Sequence, residues 1–378
     1  MAHIAQPLAT PRRNYLCVQA LRAVAASLVV VHHSLSMWMD WVLHRPGQLR
    51  YTNAAAGVDV FFVISGFVMA ISLPGLAGKP NKAGVFLWRR FTRIVPLYWA
   101  AVTVKIVQLQ LWPTKALNCI LTPWRIAASY LFIPARNGKG EMYPIVVVGW
   151  TLSYEMFFYL LFAAALALDV SPLAFLTPCL TAVAFLGVTR TAAWPDFTAV
   201  ISPLVIEFLF GIILAHLAVR RKLPGAVWGA LLLVGGFIAL LLMPEASSPW
   251  GVVNWGGPAA AMVLGAISLE PKLGDRLPKW LLEAGDASYA LYLSHTFVLP
   301  YIGNILARLH ATGALALVGS IVGSLAISLP TGILVHRYVE KPLMNRFKKR
   351  REAPKPVQTP VAVPVPVATV AVAAESPR

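Results

Sequence analysis

The chain has 378 residues, 58% of them hydrophobic and 12% charged, with a mean hydropathy of +0.69. A soluble domain carries about 25% charged residues, so a water-soluble globule is excluded, and so are a disordered chain and, with three cysteines, a disulfide scaffold. The formal charge of +17 would suggest nucleic acid on a polar chain. On this apolar one it points to basic loops on one side of a lipid bilayer, and no nucleic-acid partner is expected.

About 20 apolar residues cross the hydrocarbon core as a helix. Ten such runs follow one another at 15–38, 54–74, 89–111, 146–168, 172–190, 198–219, 225–243, 252–270, 287–309 and 312–337. They are continuous rather than alternating, which indicates helices and not barrel strands. The expected fold is all-α: a polytopic membrane protein of about ten transmembrane helices. The first run is too long for a signal peptide, contains Arg22 and lacks a small-residue cleavage site, so no cleavable leader is expected. With the N-terminus in the cytoplasm, 22 of the 32 Lys and Arg fall inside, eight outside and two (Arg22 and Lys105) within spans. This bias predicts that both termini are cytoplasmic. Residues 1–14 then form a cytoplasmic segment, 15–347 a transmembrane domain, and 348–378 a basic, then Pro/Val/Ala-rich tail without hydrophobic period, expected to be disordered. In the long outer loop 112–145, the stretch 122–134 is expected along the interface. Cys17 and Cys179 in spans and Cys119 in that loop imply neither a disulfide nor a metal site.

Inside a bilayer an ionisable side chain costs roughly 2.5–3.5 kcal/mol on insertion scales, so each needs a partner or a wet cavity. The first span holds Arg22, His32 and His33, the second Asp59, and the third Arg89, Arg90, Arg93 and Lys105. Glu155 lies in the fourth, Glu207 and His216 in the sixth, and His295 in the ninth. So many predict a polar cavity within the bundle. At about 1.5 Å per residue, Arg90 and Arg93 sit at the cytoplasmic mouth of the third span. Arg22 lies roughly 10 Å in, His295 at a similar depth, and Glu155 near the midplane. His33 and Asp59 share a depth near the outer ends of two consecutive spans. Arg22 and His33, eleven residues apart, face the same side about 16 Å from one another. Ser288, Tyr292 and His295 fall on one face of the ninth span, where a polar packing stripe is an equally good reading. Gly225-x-x-x-Gly229 and Gly319-x-x-x-Gly323 read as small-residue helix contacts.

From about residue 14 to 347 the chain resembles the acyltransferase 3 family of integral membrane acyltransferases. The resemblance rests on Leu21-Arg22 followed by ten residues and His33, and on Gly57-Val58-Asp59-Val60-Phe61-Phe62-Val63-Ile64-Ser65-Gly66-Phe67. It continues with Arg90 and Arg93 as an R-x-x-R pair, Trp150-Thr151-Leu152-Ser153-Tyr154-Glu155, Ser288 to His295, and Glu340-Lys341-Pro342. The versions of the second and fourth motifs are most similar to the exopolysaccharide-acetylating, O-antigen-acetyltransferase-like branch. The resemblance implies an O-acyltransferase of the bacterial inner (plasma) membrane. It would move an acyl group, usually acetyl, from cytoplasmic acyl-CoA to a hydroxyl of a carbohydrate such as exopolysaccharide, lipid-linked or exported. No resident cofactor and no metal are implied; acyl-CoA, usually acetyl-CoA, is a co-substrate, and polysaccharide-assembly proteins are conceivable partners.

A sugar hydroxyl is a weak nucleophile and needs a general base. His33 is the expected base, with Asp59 at matching depth to orient it in the manner of a triad carboxylate. His32 points about 100° away from His33 on an ideal helix, and a kink would reverse their order. Arg90 and Arg93 suit the CoA phosphates, because guanidinium forks bind phosphate oxygens bidentately, and Arg22 would lie along the pantetheine arm. Glu155 is expected to orient substrate or to pair with an arginine. Trp150, Tyr154, Tyr292 and His295 are candidates for a sugar site, with packing as the plainer role for the aromatics. Glu207 and His216 carry no motif and are expected to be structural. The rival reading is a secondary transporter or glycan flippase with Asp and His as proton carriers. No P-loop, H-E-x-x-H or G-x-S-x-G sequence is present to support ATP-driven transport, zinc proteolysis or a serine elbow.

Overall fold

The computed structural model describes residues 15–45, 53–111, 120–244 and 250–352. Residues 1–14, Cys119 and the tail from 353 onward lie outside these, so the expectations placed on them stay with the sequence. Every regular element among the described residues is helical. Seven helical stretches are long and apolar enough to cross a membrane: Leu16–Val42, Asn53–Ile71, Lys82–Leu111, Val147–Ala167, Val252–Arg276, Ser288–Arg308 and Ala314–Phe347. Three shorter apolar helices, Pro172–Val188, Pro203–Val219 and Ala226–Leu242, stand where the fifth, sixth and seventh runs were expected. In chain order the α-helices are α1 (Leu16–Met37), α2 (Gly57–Ile71), α3 (Lys82–Leu111), α4 (Pro123–Tyr130), α5 (Trp150–Ala167), α6 (Pro172–Val188) and α7 (Ile206–Val219). They continue with α8 (Ala226–Leu242), α9 (Gly257–Leu273), α10 (Lys279–Asp286), α11 (Ser288–Arg308), α12 (Ala314–Val335) and α13 (Lys341–Glu352). The stretch 122–134 contains α4, whose first turn is capped by Thr122 Oγ1 accepting from the Arg125 amide at 3.2 Å.

The outward faces are apolar. α8 buries only Gly229, Gly236 and Leu240 while Val227, Trp228, Leu231 and Val234 lie exposed, a face suited to hydrocarbon and not to water. Inside, helices meet through small residues, which let backbones approach where lipid offers no hydrophobic push. A Cβ on Gly66 of α2 would meet the Phe208 carbonyl of α7, and one on Gly211 would meet the Val63 carbonyl in return. Gly229 and Gly265 do the same for α8 and α9. The expected Gly319/Gly323 contact is not made: both glycines face open space, as does Gly225. α12 packs instead one residue along. Ser320 and Ser324 each lie 3.0 Å from the Ser34 hydroxyl of α1, and all three are fully buried. Hydroxyls in hydrocarbon need partners, so the serine face takes the contact.

Two boundaries differ from the sequence expectation in ways that move site residues. α3 starts seven residues early, at Lys82, because Asn81 caps it: its side-chain oxygen accepts from the Gly84 amide at 2.9 Å and its carbonyl from Val85 at 3.0 Å. Arg89, Arg90 and Arg93 are therefore inside a helix and not at its mouth. The start of α11 is set by α10, whose Gly285 abuts the Gln19 carbonyl of α1. α11 thus begins above the first turn of α1, and its residues reach further along the bundle than a common starting level predicts. Finally, α1 itself is anchored from α9. The Leu16 and Cys17 amides donate to the two carboxylate oxygens of Glu270, each at 2.8 Å, which satisfies two of the helix's unpaired donors.

Candidate active site

Two adjoining cavities lie between α1, α2, α3, α5 and α11, and they share Val58 and Tyr292 as common wall. The one nearer the starts of α1 and α11, termed the inner chamber, about 150 Å³, is lined by Arg22, Arg90, Arg93, Ser65, Glu155 and Tyr159 together with apolar side chains. The outer one, about 650 Å³, is lined by His32, His33, Asp59, Trp150, Trp255 and the loop residues 139–143. The polar cavity expected within the bundle is present as two chambers with a common wall.

In the inner chamber the helical periodicity of α3 brings Arg90 and Arg93 to one side. Arg90 lies over the Phe86 ring, 5.9 Å from its centroid, and its buried Nε has no protein partner. Arg93 is engaged: its Nη1 lies 2.5 Å from Glu340 Oε1, and its Nη2 donates to the Asp286 carbonyl at 3.3 Å. Glu340, which belongs to the Glu-Lys-Pro motif, is buried and also bonds His336 Nδ1 at 2.6 Å through a π-helical turn, His336–Glu340. Arg22 donates to Gln19 Oε1 at 3.3 Å. Glu155 Oε2 accepts from the Ser65 hydroxyl at 2.7 Å. The chamber thus presents three guanidinium groups to a space with one carboxylate facing them, an arrangement fit to hold an anion or polarise a carbonyl oxygen. Ser65, for which no nucleophile motif is present, and Tyr159 complete this lining. Tyr159 stands one turn after Glu155, a spacing that could have found it.

In the outer chamber His33 and Asp59 line the same space, as their matched depth predicted. His33 Nδ1 lies 3.0 Å from the Val29 carbonyl and 3.3 Å from His295 Nε2. His295 is therefore level with His33 and not with Arg22. The displaced start of α11 accounts for the difference. His295 is fully buried, lines neither chamber and holds the Leu291 carbonyl with Nδ1 at 3.1 Å; it stands behind His33. Asp59 is buried beside Glu207, which is fully enclosed and which the sequence left without a role. Trp150 lines the outer chamber and Tyr292 both, with the Tyr292 hydroxyl donating to Val148 O at 3.1 Å and lying 3.0 Å from Thr151 Oγ1. Tyr154 lines neither; its hydroxyl is taken by the Ala199 carbonyl at 2.8 Å and its ring packs edge-on against Trp150. His32 stacks edge-on with His33, ring centroids 5.0 Å apart, and shares the chamber with it.

Comparison with known proteins places the sequence among relatives. A family model described as an acyltransferase domain matches residues 15–333. The chain is 32% identical to the exopolysaccharide production protein ExoZ of Rhizobium meliloti (strain 1021), over 80% of this chain and 93% of that protein. It is 28% identical to the acyltransferase MdmB of Streptomyces mycarofaciens, over 79% of this chain and 83% of that protein. No solved structure matches significantly.

Proposed function

The chain belongs to the acyltransferase 3 family, and from that premise we propose that it moves an acyl group, acetyl in the usual case, from cytoplasmic acyl-CoA to a hydroxyl of an exopolysaccharide-type glycan, lipid-linked or exported. The observation that carries this reading is the pair of chambers in series, one lined by arginines and the other by histidines and tryptophans, meeting at Val58 and Tyr292. The relative named for exopolysaccharide production supports the acceptor class. In this reading ten helices cross the bacterial inner membrane, the seven long spans together with α6, α7 and α8, and both termini are cytoplasmic, as the basic-residue bias favours.

The donor enters from the arginine side. Arg90, whose Nε has no protein partner, and Arg93 hold CoA phosphates, and Arg22 lies along the arm that carries the thioester inward. Arg93 must share itself between phosphate and Glu340, so Arg90 is the stronger anchor of the two. The acceptor sugar occupies the outer chamber against Trp150 and Trp255, whose faces suit the apolar side of a sugar ring. His33 takes the hydroxyl proton as the hydroxyl oxygen bonds the thioester carbonyl carbon. The carbon–sulfur bond then breaks and the proton passes to the departing sulfur, giving ester and free CoA thiol with no net proton change.

The test is transfer by the purified protein in proteoliposomes. Labelled acetyl-CoA and the producing cell's glycan should yield labelled ester. His33→Ala should abolish transfer with acyl-CoA binding retained, and Arg90→Gln should weaken that binding at least tenfold. Transport of glycan without consumption of acyl-CoA would overturn the reading in favour of a flippase.

A further inference from the structure

His33 and His295 both present Nδ1 to the carbonyl one helical turn behind, Val29 at 3.0 Å and Leu291 at 3.1 Å, and His295 Nε2 points at His33 Nδ1 from 3.3 Å. A carbonyl oxygen can only accept, and a neutral imidazole carries one proton. The network therefore assigns one neutral arrangement. His295 is protonated at Nδ1, its Nε2 offers a lone pair, and His33 Nδ1–H is shared between that lone pair and Val29. The reverse proton on His33 would set its Nδ1 lone pair against the Val29 carbonyl and the His295 lone pair together. His33 lines the outer chamber, and with Nδ1 occupied the nitrogen left to that chamber is Nε2, bearing its lone pair.

We infer that His295 is a positioning residue that fixes the base-competent tautomer of His33, the task a buried carboxylate performs in a hydrolase triad. The geometry suits that task. The two rings lie 5.1 Å apart at 44°, His295 has no exposed surface, and it lines neither chamber, so it reaches substrate only through His33. When His33 holds the hydroxyl proton on Nε2, the Nδ1–H···Nε2 bond to His295 becomes charge-assisted and strengthens as the charge develops. Asp59 lines the same chamber and lies beside the buried Glu207.

The inference rests on His33 being the base, and the experiment separates the two. His295→Phe keeps the ring volume and removes the acceptor; it should lower kcat about 100-fold while leaving the KM for acyl-CoA within about twofold. His295→Gln returns an acceptor oxygen and should recover kcat to within about tenfold of the natural protein. The 15N spectrum of histidine-labelled protein, with His33 identified by difference against His33→Asn, should show Nδ1 protonated and Nε2 unprotonated at neutral pH. In His295→Phe it should show mixed tautomers. A natural protein whose His33 carries the proton on Nε2 overturns the inference even where the variants fold poorly. So does a His295→Phe protein with unchanged kcat, or one changed in KM alone, which would mark a substrate contact. If His33→Ala itself remains active, the base reading falls; if His33→Ala is dead and His295→Phe is normal, only the positioning role falls.

Discussion

Replacing Glu270 by alanine strips α1 of both acceptors at its N-terminus. The Leu16 and Cys17 amides each donate to this one carboxylate at 2.8 Å, and the side chain is 8% exposed, so water makes little repair. Loss of one capping acceptor costs about 1 kcal/mol, and a hydrogen bond to a charged group lies at the upper end, about 1.5–3 kcal/mol. Two bonds, weakened in their sum by fraying of a terminal turn, give about 2–3 kcal/mol for local opening of that turn. Glu270→Gln keeps one acceptor oxygen and should cost about half as much. The assay is amide exchange at residues 16–18 in detergent or nanodiscs, where 2–3 kcal/mol corresponds to about 30- to 150-fold faster exchange through local opening. Protection that is unchanged in Glu270→Ala would refute the cap, as would equal effects of the alanine and glutamine variants. The consequence reaches the site, because α1 carries Arg22 and His33 on the helix thus anchored.

Two further outcomes follow from named contacts. Gly66→Ala pushes a Cβ against the Phe208 carbonyl, next to the Ser65–Glu155 bond; overpacking against backbone should cost about 1–3 kcal/mol and lower thermostability in detergent, whereas Gly225→Ala, which meets open space, should leave it unchanged. Arg337 donates to Glu283 at 2.5 Å, tying α10 to the end of α12, and holds that exposed carboxyl below the usual carboxylate range. A depressed folded value stabilises above the unfolded value of about 4.3 and loses that stabilisation as pH falls through the folded one. Exchange in α10 should therefore accelerate on acidification below about pH 4, and Arg337→Gln should remove that step; a step that persists in the variant rejects the pairing.

Seven of the expected spans are legible because hydrocarbon imposes a length and forbids unpartnered charge, so apolar runs and the few polar residues within them can be read directly. The facing of Arg22 and His33 followed from their spacing on a single helix, and the structure puts both on cavity walls. What depended on relations between helices was not legible. The level of His295 depends on α10, which sets the start of α11, and no property of the α11 sequence records it. The Arg93–Glu340 pair joins residues far apart along the chain, and the sequence shows only two motifs. Glycine spacing alone chose the wrong face of α12, since the serines one position along had partners on α1 and the glycines had none. Glu207, read as structural, is fully buried beside Asp59, a pairing that a lone acid in the sequence does not show.

The shared wall at Val58 and Tyr292 bears on energy conservation in the cell as well as on catalysis. An enzyme that takes its donor from one side of a membrane and its acceptor from the other risks becoming a leak, because any bore wide enough for a nucleotide would short-circuit the ion gradient. Here the inner chamber is only about 150 Å³, and Tyr292 at its boundary is pinned by Val148 and Thr151. With the donor and acceptor sides proposed above, a small acyl group on a slender arm would be offered across such a partition, whereas hydrated ions would need a continuous column of water. On the proposed reading, the narrowness that limits what is transferred would also oppose the leakage of ions.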